Sequence, residues 1–184
     1  MRAANHLEIE IKIKIDDTAA INNRLIECGF RVFRKRSFEY NIVFDSADYR
    51  LAQKDCLLRL RKTGSRNTLT FKSPSPEKQK TAGYKIREEI ETMVKDFDSI
   101  KAILLGLGFD IVFIYEKYRQ VYTRGKVTSM MDETPIGNFL EIEGREVEID
   151  TVSGELGFTK DDYIVENYRS LFYKTGQKGF MTFD

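Results

Sequence analysis

The chain shows its organisation first as an alternation. Residues 6–15, HLEIEIKIKI, carry an apolar side chain at every second position and mostly a charged one between, the period of a strand with one apolar and one charged face. Arg59 and Arg61 alternate with Leu58 and Leu60, and Thr68, Thr70 and Lys72 with Leu69 and Phe71. Arg87, Glu89 and Glu91 oppose Ile86 and Ile90, while Glu141 and Glu143 oppose Leu140 and Ile142. Lys117 and Arg119 share a face of a longer run, and Asp132 closes the run after it. Strands are expected at 6–15, 36–45, 56–63, 68–72, 84–93, 111–124, 126–132 and 138–144.

A helical period separates these runs. Ile21, Leu25 and Cys28 fall on one side of a helix over 17–28, with Asp16 or Asp17 as its N-cap. Gly29-Phe30 ends it as a glycine followed by an apolar contact does, and Gly108-Phe109 and Gly157-Phe158 repeat the signature after helices at 96–107 and 145–156. A fourth helix is expected at 160–174, with Thr159 and Asp162 as a capping box. Ile15, Asp17, Ile21, Leu25, Gly29 and Phe30 match Val94, Asp96, Ile100, Leu104, Gly108 and Phe109 at one offset, which also carries Glu10 onto Glu89. The match reads either as a duplicated half or as a shared capping pattern. Residues 73–80, SPSPEKQK, form a polar loop between charged strands, a long hairpin connection or a lid.

Composition narrows the class. The 184 residues carry 30 Lys+Arg against 29 Asp+Glu, 41% hydrophobic and 32% charged, which fits a single globular domain spanning 1–184. A net charge of +1 leaves no basic excess for nucleic acid. Two cysteines, Cys28 and Cys56, make neither a disulfide scaffold nor a Cys-rich zinc site; they read as buried small residues rather than nucleophiles. The single histidine, His6, leaves no material for a His zinc centre and reads as a strand-end residue or one at a cavity mouth. No secretory leader or membrane-spanning run is present in the sequence, so a cytoplasmic protein without a membrane partner is expected. The sequence leaves monomer and homodimer open.

A solvated antiparallel sheet produces this alternation on any one strand. Over six strands, however, the polar faces are nearly pure Arg, Lys and Glu, where water-facing strands are diluted with Ser, Thr, Gln and Asn. The helices are there to cover the apolar faces. A closing sheet would then turn its charged faces inward. The cations on those faces are Lys12, Arg59, Arg61, Lys72, Arg87, Lys117 and Arg119; the acids are Glu8, Glu10, Glu89, Glu91, Asp132, Glu141 and Glu143. Burying ion pairs alone is costly. Guanidinium and ammonium groups that hold phosphate oxygens, beside carboxylates that hold Mg²⁺ or Mn²⁺, give the arrangement a use. So many cations suit a triphosphate rather than a monophosphate.

At these residues the chain resembles the CYTH superfamily, the triphosphate tunnel metalloenzymes. Glu8-Ile9-Glu10-Ile11-Lys12 is similar to its ExExK signature. Leu58-Arg59-Leu60-Arg61, Thr70-Phe71-Lys72, Arg87-Glu88-Glu89-Ile90-Glu91, Lys117-Tyr118-Arg119, Asp132 and Glu141-Ile142-Glu143 follow in the family's order, and Phe44-Asp45-Ser46 is similar to its YFDT element. The resemblance implies an α+β fold, an antiparallel eight-stranded closed barrel with a charged interior and helices packed outside. It implies metal ligation by Glu8, Glu10, Asp132, Glu141 and Glu143, with Glu89 and Glu91 in support. Lys12, Arg59, Arg61, Lys72, Arg87, Lys117 and Arg119 would bind the triphosphate, and Glu8, Glu10, Lys12 and Lys72 would be catalytic. Val43 stands where YFDT members carry tyrosine, and no tryptophan precedes the arginine pair as in vertebrate-type thiamine triphosphatases. Three functions stay open: class IV adenylyl cyclase making cyclic AMP and pyrophosphate from ATP, hydrolase of tripolyphosphate or an organic triphosphate, and a non-catalytic triphosphate-binding module. Tyr115, Tyr118 and Tyr122 read as wall and packing residues.

Overall fold

The computed structural model describes residues 6–75 and 83–184. Eight strands run in the order β1 (His6–Ile15), β2 (Arg31–Asp45), β3 (Leu57–Thr63), β4 (Arg66–Pro74), β5 (Lys85–Val94), β6 (Asp110–Arg124), β7 (Val127–Thr134) and β8 (Gly137–Glu143). They close into one antiparallel barrel, β1-β5-β4-β3-β2-β6-β7-β8, with β8 returning to β1. All eight expected strands are present. Part of the 73–80 loop, and its reading as a lid, lies outside the described residues, as does the side chain of His6.

The neighbour order maps onto itself when β1–β4 exchange with β5–β8. Each half runs from a charged strand through a helix into a 15-residue strand, and those two long strands, β2 and β6, pair with each other. The helices involved are α1 (Thr18–Glu27) and α3 (Phe97–Gly106). Asp17 accepts from the Ala19 and Ala20 amides at 2.9 Å, and Asp96 from the Ser99 amide at 2.9 Å. Gly29 and Gly108 take φ of 82° and 86°, which a side chain would strain, and the Phe30 and Phe109 amides return to Leu25 and Leu104. The duplicated-half reading of the sequence therefore has a counterpart in the topology.

The apolar faces point outward and are covered. Ile11, Ile13, Leu140, Ile142 and Met131 pack under Ile21 and Leu25 of α1 and Ile149 and Val152 of α4 (Glu146–Glu155). Ile42, Phe44 and Leu60 pack under Leu104 of α3. Leu25, Ile142 and Ile149 are fully buried, and each such side chain contributes about 1.5–3 kcal/mol relative to exposure.

The C-terminal region differs from a continuous helix over 160–174. A single 3-10 turn, Lys160–Asp162, uses the expected Thr159–Asp162 cap, with the Thr159 amide donating to Asp162 at 2.8 Å. The chain then extends. Ile164 exchanges backbone hydrogen bonds with Lys12 beyond Glu10, where the pairing of β1 with β5 stops. Asn167 caps a separate helix, α5 (Tyr168–Lys174), by accepting from the Ser170 amide at 2.9 Å. Met181 pairs with β6 beside Tyr115, beyond the reach of β7. The β-branched pair Ile164-Val165 prefers the free strand edge to a helical interior. A short helix absent from the sequence reading, α2 (Arg50–Gln53), is held by Asp45, whose carboxylate accepts from the Leu51 and Ala52 amides at 2.8 and 2.9 Å.

Candidate active site in the barrel interior

Strand parity fixes what faces inward. On β1, Glu8, Glu10 and Lys12 point into the barrel while Ile11 and Ile13 lie under α1 and α4. Across the β1–β8 seam Glu10 stands opposite Glu143 and Lys12 opposite Glu141. Arg59 and Arg61 come from β3, Lys72 from β4, Arg87, Glu89 and Glu91 from β5, and Lys117 and Arg119 from β6. All of these line one cavity of about 360 Å³. Asp132 shares the inward face of β7 with Thr128 and Met130, but it is fully buried beneath the Lys117, Arg119 and Tyr168 side chains that line the cavity.

One end of the interior is apolar. Tyr168 and Phe172 of α5 pack on the inward-facing Val43, Phe113, Tyr115 and Phe139. The Tyr168 ring lies under the Lys12 and Lys117 ammonium groups, 4.6 and 4.9 Å away, a pair of cation–π contacts. Its hydroxyl donates to Asp132 at 2.6 Å.

The charges are paired across strands. Lys72 bridges Glu8 at 2.6 Å and Glu89 at 2.8 Å, Lys12 meets Glu141 at 2.9 Å, and Lys85 binds Glu10. Arg119 reaches both Asp132 and Glu141, and Lys117 reaches Asp132 at 2.8 Å. Arg61 donates to Asn41 at 2.8 Å, and Arg59 to Thr70 at 3.2 Å and to the Tyr115 hydroxyl at 3.4 Å. Arg87 turns to the Asp55 carboxylate and carbonyl.

Neighbouring carboxyls are driven apart in acidity. Burial, helped by the charge of Glu10, raises Glu8 above the ordinary carboxylate value despite Lys72. Burial would raise Glu10 as well, but Lys85, Lys72 and Lys12 outweigh it and the repulsion of Glu141, holding it at about 2. Burial and the adjacent Arg119 lower Lys117 in spite of Asp132. The like charges of Glu8 and Glu10, and of Glu10 and Glu141, are the kind of repulsion a bound cation relieves. The donor set is all carboxylate oxygen, which fits a hard divalent ion such as Mg²⁺ or Mn²⁺. Among the described residues no three such groups already surround one point; Glu8, Glu10 and Glu141 are each turned to a lysine or arginine.

The sequence reading left out several wall residues. Lys85 shares parity with Arg87 and was within reach of the same argument. Glu39 is fully buried on β2, 3.5 Å from Arg61 and 3.9 Å from Lys117, and holds no hydrogen bond among the described residues. Burial opposes its charge, but Arg61, Arg119 and Lys117 bring it down to about 2. Arg34 lines the cavity from the part of β2 that precedes the expected strand start. Tyr168 carried no signal, because its position depends on where α5 docks.

Comparison with known proteins agrees with this architecture. The family model described as the CYTH domain matches residues 6–178. A protein of Methanocaldococcus jannaschii, provisionally described as an adenylate cyclase, is 32% identical over 176 residues, covering 90% of this chain and 98% of its own. A Vibrio parahaemolyticus structure with a similar provisional description superposes with a TM-score of 0.79 at 16% identity, over 91% of this chain and 98% of that one. A Hippeastrum structure, whose description reports a dominant triphosphatase activity, has a TM-score of 0.63 at 18% identity, over 93% and 97%. No helix among the described residues is long and apolar enough to cross a membrane.

Proposed function

Because this chain belongs to the CYTH domain family, we propose that it is a divalent-metal-dependent enzyme that binds an organic triphosphate in the barrel and cyclises a nucleoside triphosphate. One observation carries the reading: the seven lysines and arginines expected from the sequence (Lys12, Arg59, Arg61, Lys72, Arg87, Lys117 and Arg119), joined by Arg34, Lys85 and Arg169, line with six glutamates a single cavity that is also partly apolar. The cations match the charge of a triphosphate. Val43, Leu57 and Phe113 offer an apolar wall that the phosphates do not need, and that suits an organic group attached to them. The M. jannaschii relative's description points the same way.

Glu8, Glu10, Glu141 and Glu143 are the residues we assign to the metal, with Glu89 and Glu91 in support. When bound, the divalent ion neutralises phosphate charge and polarises the phosphorus–oxygen bond. Asp132 we assign to the wall, where it aligns Lys117 and Arg119. Lys12 and Lys72 stay charged on both sides of the metal-binding carboxylates and hold the phosphates against them. Hydrolysis is the second reading, favoured by the charged part of the wall, which alone accommodates an inorganic triphosphate.

Purified protein incubated with Mg²⁺ or Mn²⁺, separately with ATP and with tripolyphosphate, tests the choice. Cyclic AMP with matching pyrophosphate is expected. Orthophosphate as the dominant product establishes the hydrolase instead, and binding without turnover leaves a binding module. Arg61→Ala removes a charge-assisted contact and is expected to weaken tripolyphosphate binding by about 1.5–3 kcal/mol. Unchanged affinity by calorimetry takes Arg61 off the phosphate path.

A further inference from the structure

We infer that Tyr115 is a catalytic residue, whose hydroxyl gives its proton to the phosphate oxygen that leaves when the phosphorus–oxygen bond breaks. The inference rests on the triphosphate chemistry proposed for the same cavity.

Parity separates Tyr115 from the other β6 tyrosines. Tyr118 lies on the outer face against Phe38, and the Tyr122 hydroxyl hydrogen-bonds to Asn22 of α1. Tyr115 points inward and lines the cavity with Lys117 and Arg119. Its ring is clamped, stacked on Phe113 at 5.9 Å and packed against Tyr168 at 6.0 Å, so the hydroxyl is aimed rather than mobile. Arg59 donates to that hydroxyl from 3.4 Å, and among the described residues no group accepts its proton. The Tyr168 hydroxyl, by contrast, is spent on Asp132. A fixed phenol with its proton uncommitted, beside the cations that would hold phosphate, is placed as a donor.

The surrounding charges support the role. Arg59 and Arg61 face Tyr115 from β3 and Lys117 from its own strand, with Glu39 of β2 behind Arg61 and Lys117. Glu89 and Glu91 of β5 lie beyond Arg59, and Tyr168 of α5 packs on the ring, with Lys12 over it. Burial would raise the phenol, but Arg59, Lys117 and Arg61 bring it down to about 8. The phenolate formed by donation is stabilised in place.

The step balances with water as the remaining partner. An attacking oxygen, the sugar hydroxyl in cyclisation or water in hydrolysis, forms a bond to phosphorus and loses its proton to solvent. The bond from phosphorus to the bridging oxygen breaks, and its electron pair stays on that oxygen, which takes the Tyr115 proton. Water reprotonates the phenolate before the next turnover.

The protonated form is the active one, so kcat/KM of the wild type should fall as pH rises through about 8. In kcat the fall should lie at higher pH, because bound triphosphate adds negative charge beside the phenol. Tyr115→Phe keeps the stacked ring and is expected to lower kcat by about 10²–10⁴-fold with KM within about twofold, and to remove the alkaline fall. Tyr118→Phe, on the outer face, is expected to keep wild-type rates. A Tyr115→Phe enzyme with wild-type kcat and an unchanged alkaline fall overturns the role while leaving the proposed function standing. A raised KM at unchanged kcat also overturns it, since Tyr115 would then only hold the ground state. A wild type inert toward every triphosphate overturns the proposed function, and this role with it.

Discussion

Glu10→Gln is expected to reduce metal-dependent turnover at least about 100-fold while the barrel stays folded. Glu10 sits at the seam of β1 and β8, opposite Glu143, and is buried beside Glu8 and Glu141. The amide matches the carboxylate in shape but removes the charge that a divalent ion requires. It still accepts a hydrogen bond from Lys85, so little strain follows. The substitution also takes away the Glu10 charge that adds to burial in raising Glu8, so the Glu8 pKa should fall while burial continues to hold it up. Turnover measured across a metal titration, with thermal unfolding in parallel, separates the effects. A right-shifted metal dependence or a lost plateau at wild-type melting temperature supports the assignment. Wild-type turnover at the same metal concentration removes Glu10 from the metal site. A chelator added to the wild type should reproduce the loss, and returning Mg²⁺ should reverse it.

The parts of this fold that were legible in the sequence are those governed by local rules. An apolar–charged alternation fixes which face of β1, β3, β5 and β8 is which, and three Gly-Phe pairs end three helices by the same left-handed turn. Once helices are available to cover the apolar faces, a charged interior follows. What failed depended on tertiary contacts. Residues 163–167 have helical neighbours in sequence, but the free edge of β1 beside Lys12 captures Ile164 and breaks the helix. The α2 turn exists because Asp45 caps it from the end of β2. Arg34 belongs to the site only because β2 begins at Arg31, ahead of the expected strand start, whereas Glu39 lies inside the expected strand yet outside the sequence reading of the site. Tyr115 was readable as a wall residue, yet its neighbour Arg59 comes from a strand whose register the sequence does not specify.

Asp132→Ala is expected to cost about 3–5 kcal/mol of stability, the largest effect of any single charge removal in the barrel. Its carboxylate accepts from Lys117 at 2.8 Å, from Arg119 through two nitrogens, and from the Tyr168 hydroxyl at 2.6 Å. All four groups are buried, so removing the acceptor leaves the neighbouring Lys117 and Arg119 charges without the carboxylate between them, with Glu141 the remaining partner of Arg119. Lys117 is already lowered by burial and by Arg119, and without Asp132 it should shed its proton more readily still. The α5 plug loses its polar anchor in the same step. Asp132→Asn keeps one acceptor oxygen and should lie between wild type and alanine, which ranks the three by melting temperature. The series also decides between two roles for this residue. If Asp132 acts by aligning Lys117 and Arg119, Asp132→Asn weakens metal-free binding of tripolyphosphate and leaves the metal dependence of turnover where it was. If it ligates the metal, as the family resemblance implied, the metal dependence shifts as it does in Glu10→Gln while metal-free binding is preserved. The geometry favours the first result, because an oxygen pair already shared among three donors has little left to offer a cation.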